Sequence, residues 1–137
     1  MIVSEVEIYA PAVKDYISIE AIVDTGASLC VIPKHIAEEL GIEIYEQPIH
    51  LWQVRDPLTL LKAELNLRYQ SGLYRVEATV VEIPREYRRS IKPNEKCKRP
   101  SSPHPLTHRM ILGENFLSQL SREARAEILL INQAKSL

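Results

Sequence analysis

The chain has 137 residues, 45% apolar and 26% charged, with a formal net charge of −1. That length fits one domain over residues 1–137, and the composition is that of an ordinary globular protein rather than a fibrous or disordered one. The charge balance points to no partner. The N-terminus lacks a signal-peptide pattern, and no apolar run approaches the roughly 20 residues of a membrane helix, so no membrane association is expected. Cys30 and Cys97 form no C-x-x-C or disulfide pattern, which predicts free thiols and a cytoplasmic setting.

Ile2 to Tyr9 and Tyr16 to Asp24 are rich in β-formers. In the second, Ile17, Ile19, Ala21 and Val23 alternate with Tyr16, Ser18, Glu20 and Ile22, the period of a strand. Pro11 and Lys14-Asp15 mark the hairpin connection between them. Pro33 to Leu40 reads as a short helix that Gly41 ends. Leu51 to Val54, Leu58 to Tyr69 and Tyr74 to Ile83 read as strands, with Asp56-Pro57 and Gly72 in the turns.

From Pro84 to about Thr107 the composition changes. Five of the nine prolines fall there, among many basic and few apolar residues, so this is a loop or insertion. Met110 to Leu112 returns to strand character. Phe116, Leu117, Leu120 and Ala124 then recur at helical spacing to about Ala126, and Glu127 to Ile131 reads as a last strand. The expected class is all-β, mostly antiparallel, with one or two short helices.

Ala21-Ile22-Val23-Asp24-Thr25-Gly26-Ala27-Ser28 carries the chemistry. The strand is apolar on both faces up to Asp24, and burying a lone carboxylate there is costly without a reason. Gly26 allows backbone and ligand to approach closely. An isolated Asp-Thr-Gly is a weak signal, and a structural turn in which Asp24 caps local backbone groups is the plain alternative.

With Ile111-Leu112-Gly113-Glu114-Asn115-Phe116 late in the chain, however, the sequence resembles the retropepsins, the retroviral-type aspartic proteases. The resemblance runs from about Ile2 to Leu120. It implies a closed acid-protease barrel and an aspartic endopeptidase that needs no metal or cofactor. Asp24, Thr25 and Gly26 would form the catalytic loop. Gly26, Ala27 and Ser28 would bind an extended peptide or protein substrate by strand addition.

Such chemistry needs two carboxylates around one water, sharing one proton. The chain has three aspartates, and neither Asp15 nor Asp56 precedes Thr-Gly or Ser-Gly. The second carboxylate is therefore expected from Asp24 of a twin subunit in an obligate homodimer, with Thr25 locking the two loops together.

Three features depart from the retroviral pattern. Ser28 and Glu114 stand where that family commonly pairs an acidic residue with an arginine; a hydrogen bond centred on Ser28 is one replacement. The flap segment, about Tyr45 to Leu60, has no glycine. Its Trp52 is read either as a substrate-covering residue or as a core residue.

The insertion at 84–107 carries Arg85, Arg88, Arg89, Lys92, Lys96, Lys98 and Arg99. A solvated loop is favoured over nucleic-acid binding because no aromatic platform accompanies these charges. Cys97, His104 and His108 lack an evident fourth ligand, so no metal site is assigned. Two rival functions remain: a non-catalytic dimerisation or peptide-binding module of the same fold, and an adaptor working through the basic insertion.

Overall fold

Alternation of period two organises the first hairpin. In the computed structural model, which describes residues 2–49, 58–88 and 109–135, β1 (Ile2–Ala10) and β2 (Asp15–Val23) pair antiparallel throughout. Val6, Ile8 and Ala10 of β1 and Ile19, Ala21 and Val23 of β2 are buried. The polar alternates face outward.

Past the 24–29 loop come β3 (Cys30–Pro33) and α1 (Lys34–Leu40), whose Ile36, Ala37 and Leu40 are buried. Gly41 ends α1 in the left-handed conformation, φ 75°, and its amide donates to the Ala37 and Glu38 carbonyls. A Cβ at Gly41 would lie 2.8 Å from the Ala12 nitrogen, so both the conformation and the space call for glycine.

The long hairpin of β5 (Leu58–Tyr69) and β6 (Gly72–Val81) follows β4 (Ile44–Ile49), which pairs antiparallel with the start of β5. Ala63, Leu65 and Leu67 of β5 and Val76, Ala78 and Val80 of β6 are buried side by side on the inner face of this hairpin. The last strand is β7 (Met110–Leu112), parallel to β2 and antiparallel to β3.

The sheet runs β1-β2-β7-β3-β6-β5-β4, and a further pairing of β1 with β5 (Glu7 opposite Arg68, Ile8 opposite Leu67) closes six strands into a barrel with β4 outside. The expected closed, mostly antiparallel barrel is therefore present. Closure removes two edges that would otherwise invite pairing with other chains.

Two helices lie beyond β7: the short α2 (Glu114–Leu117) and the longer α3 (Arg122–Lys135). The strand expected over Glu127 to Ile131 is instead the middle of α3. Ser121 caps this helix, its hydroxyl accepting from the Ala124 amide at 3.1 Å. Ala124 and Ile128, four residues apart, are buried as α3 packs on β1. The run Ile128-Leu129-Leu130-Ile131 thus yields to helical periodicity: Ile128 is buried whereas Leu130 is 64% exposed.

Other expectations need smaller corrections. Cys30–Pro33 and Ile44–Ile49 are strands that the sequence reading left out. The β5–β6 turn is made by Gln70 and Ser71, both at positive φ, with Gly72 already in the strand. The strand expected at Leu51 to Val54 lies outside the described residues. So does the basic insertion beyond Arg88. Its first part, Arg85–Tyr87, is one turn of 3-10 helix. Among the described residues, no helix is long and apolar enough to cross a membrane.

Candidate active site

Asp24 sits at an abrupt change of environment. Ala21, Ile22 and Val23 are all buried, whereas Asp24, Thr25 and Gly26 are exposed. β2 is held on one side by β1 and on the other by β7, with Val23 opposite Leu112. The Asp24 amide continues that ladder, donating to the Leu112 carbonyl at 3.0 Å.

The loop then folds onto its own carboxylate. The Gly26 amide donates to Asp24 Oδ1 at 2.9 Å, and the Ala27 amide donates to the Asp24 carbonyl at 3.2 Å. One carboxylate oxygen is thereby oriented by backbone, which fixes the direction of the side chain without a second charged group.

The turn after β7 grips the far side of this loop. The Glu114 amide donates to the Ala27 carbonyl at 2.7 Å and the Asn115 amide to the Ser28 carbonyl at 3.1 Å. This approach requires Gly113: a Cβ there would stand 2.5 Å from the Leu29 oxygen and 2.9 Å from the Ala27 oxygen. Both obstacles are backbone atoms, which cannot rotate away. The Ile-Leu-Gly segment thus acts on Asp24 through main-chain contacts.

Asn115 ties three elements together and was given no role by the sequence reading. Its Oδ1 accepts from the Cys30 amide at 2.9 Å and the Cys30 thiol at 3.2 Å, and its Nδ2 donates to the Glu77 carbonyl at 2.6 Å. Gln119 Nε2 donates to the Arg75 carbonyl at 3.2 Å, two residues along β6. These two amides cap β6 where neither neighbouring strand covers its outer edge.

Cys30 is fully buried, and burial pushes its thiol up to about 11 despite a hydrogen bond from the Gly113 backbone. A thiol protonated at neutral pH is a packing group, not a nucleophile.

Ser28 is uncharged, so no ion pair joins positions 28 and 114. Glu114 instead binds Arg125 of α3, with Arg125 Nη2 donating to Oε1 at 2.9 Å and Nη1 donating to Oε2 at 3.2 Å. That hydrogen bond holds the Glu114 carboxyl below its ordinary range, aided by the arginine's charge and opposed by partial burial.

Beside Asp24, the outward face is apolar. Ile22 lies opposite Ile111, and Ile111 lies opposite Val31. By strand alternation, Ile22 shares its side of β2 with Asp24. Farther across the same face the residues turn polar: Thr79, opposite Val31, is followed by Lys62, which is 5% exposed and paired with Glu77 at 3.2 Å.

Of the other sequence-predicted positions, Ala27 and Ser28 lie in the loop with Asp24. Trp52 and Asp56 lie outside the described residues, as do Cys97, His104 and His108. Among the described residues, no group of three or more His, Cys, Asp or Glu side chains is placed to hold a metal ion.

The sequence profile of a family described as "Aspartyl protease" matches residues 11–53, a stretch that includes the β1–β2 turn, the Asp24 loop, α1 and β4. Among solved structures, EIAV protease complexed with the inhibitor HBY-793 is similar over 85% of this chain and 85% of its own, at 14% identity and a TM-score of 0.45. No curated protein matches the sequence.

The profile match, which includes Asp24-Thr25-Gly26, and the closed barrel that presents this loop support a retropepsin-like aspartic protease fold. They support a protease-like, hydrolytic function at the same coarse level.

Proposed function

We propose that the protein is an aspartic endopeptidase that cleaves extended peptides with a water held between Asp24 of one subunit and Asp24 of a second copy. The observation that carries this reading is the Asp24 loop itself: an exposed carboxylate at the end of a buried strand, oriented by the Gly26 amide and braced by the turn at Gly113. A capping turn would need no such bracing from a distant part of the chain.

The need for a second copy follows from distance. Asp15 stands at the other end of β2, about 30 Å away at the rise of a β-strand, and its carboxylate accepts from the Tyr16 amide. Asp56 precedes a proline and lies outside the described residues. Asp24, Thr25 and Gly26 are exposed in the single chain, as a surface completed by a partner should be. Thr25 then meets its counterpart across the two-fold axis.

In this mechanism, one Asp24 is ionised and takes a proton from the water as the oxygen attacks the scissile carbonyl. The other is protonated and donates to the carbonyl oxygen. Collapse of the tetrahedral intermediate breaks the C–N bond, and a proton from the dyad passes to the leaving nitrogen. No covalent enzyme intermediate forms.

Backbone groups from Gly26 to Ser28 bind the substrate strand, and Ile22, Ile111 and Val31 favour apolar side chains beside the scissile bond. Trp52, which lies in the sequence between β4 and β5, is assigned to substrate binding as well. A cytoplasmic setting accords with Cys30 as a buried free thiol.

The test is digestion of a diverse peptide mixture, read by mass spectrometry from about pH 3 to 7, with wild type beside Asp24→Asn. Cleavage by wild type alone supports the reading and maps specificity. Equal cleavage by both removes Asp24 as the catalyst. Silence from both folded proteins favours a peptide-binding module.

A further inference from the structure

We propose that Arg125 is a positioning residue for the Asp24 loop, acting through Glu114; this rests on the protease reading above. Glu114 has two attachments. Its backbone amide carries the short hydrogen bond to the Ala27 carbonyl, three residues past Asp24, and its carboxylate receives both terminal nitrogens of the Arg125 guanidinium. A fork of this kind fixes the direction as well as the separation of its partners.

The helix that carries Glu114, α2, is only four residues long, too short to hold its own first turn by helical cooperativity. The long helix α3 supplies the rigidity. Ala124 and Ile128 sit in the core on either side of Arg125 in sequence, and the Arg125 amide donates to the Ser121 carbonyl at 2.9 Å. A continuous path therefore runs from the β1-packed face of α3, through Arg125 and Glu114, to the main chain of the loop. In this chain the loop is tied to the C-terminal helix, and the position-28 side chain takes no part in any ion pair among the described residues.

Amide hydrogen exchange on Arg125→Gln tests the claim without depending on activity. The account expects the Glu114 amide to exchange about tenfold faster while β5–β6 amides keep their protection. Arg122→Gln, on the same helix, should leave both unchanged. Against a cleaved peptide, Arg125→Gln should lower kcat about tenfold with KM within about twofold, and the charge exchange Glu114→Arg with Arg125→Glu should recover most of that loss.

Unchanged Glu114 exchange in Arg125→Gln would overturn the proposal, whether or not the wild type cleaves peptides. Uniformly faster exchange across the barrel would also overturn it, by showing that Arg125 supports the whole fold rather than the loop. Faster exchange confined to Glu114 and Asn115 would sustain the positioning role even if no peptide were cut.

Discussion

At the scale of single residues, the candidate site depends more on main-chain contacts than on charged side chains. Gly113 has no side chain, yet its small size lets the 27–29 backbone lie against the β7–α2 turn. Gly113→Ala should therefore cost about 1–3 kcal/mol through forced displacement of backbone, read as a fall in the midpoint of urea unfolding. It should also impair cleavage by moving the loop; an unchanged midpoint and rate would mean the loop has room to shift. Asp24, Gly26 and Gly113 were legible in the sequence because each belongs to a motif with a fixed local job. Asn115 was printed within the same motif and passed over. Its partners, the Cys30 amide and thiol and the Glu77 carbonyl, come from strands far away in sequence, so no local pattern marks it.

At the scale of elements, the strands were legible wherever apolar and polar residues alternate, as in β2 and β5. They were missed where the run is too short or carries a proline, as in β3 and β4. Pro48 is tolerated in β4 because that strand lies on the outer edge of the sheet. The C-terminal segment shows the ambiguity of a short apolar run: Ile128 to Ile131 suits a strand by composition, and only Ser121 and the spacing of Ala124 with Ile128 reveal the helix. The docking of that helix has an acid-sensitive component. The Glu114 carboxyl is lowered from its ordinary value, so its stabilising contribution is complete above the ordinary value near 4.5 and is lost as pH falls through the lowered one. The thermal midpoint of wild type should exceed that of Glu114→Gln above the ordinary value, and the gap should shrink as pH falls below it. A gap that persists unchanged into acid would show that the ion pair with Arg125 does not stabilise the fold.

At the scale of the whole molecule, the barrel closes around one core and leaves the Asp24 loop facing outward. The segment from Glu127 to Ile131, read from the sequence as a last strand, lies in α3, whose Ile128 is buried as the helix packs on β1. With that segment helical, the proposed association of two copies falls on the exposed Asp24–Ser28 loop, and activity that needs two chains should depend on protein concentration. The closed barrel was legible in the sequence through its resemblance to a known family, whereas the choice between strand and helix at the C-terminus is settled by packing against β1.

The central claim is that two copies of Asp24 make one catalytic centre. Its most direct measurement is the cleavage rate of wild-type chains mixed and re-equilibrated with Asp24→Asn chains at constant total concentration. If each active centre needs two wild-type chains, the rate follows the square of the wild-type fraction, about one quarter of full activity in an equal mixture. A linear fall, to about one half in that mixture, would mean that each chain acts alone and would contradict the shared dyad.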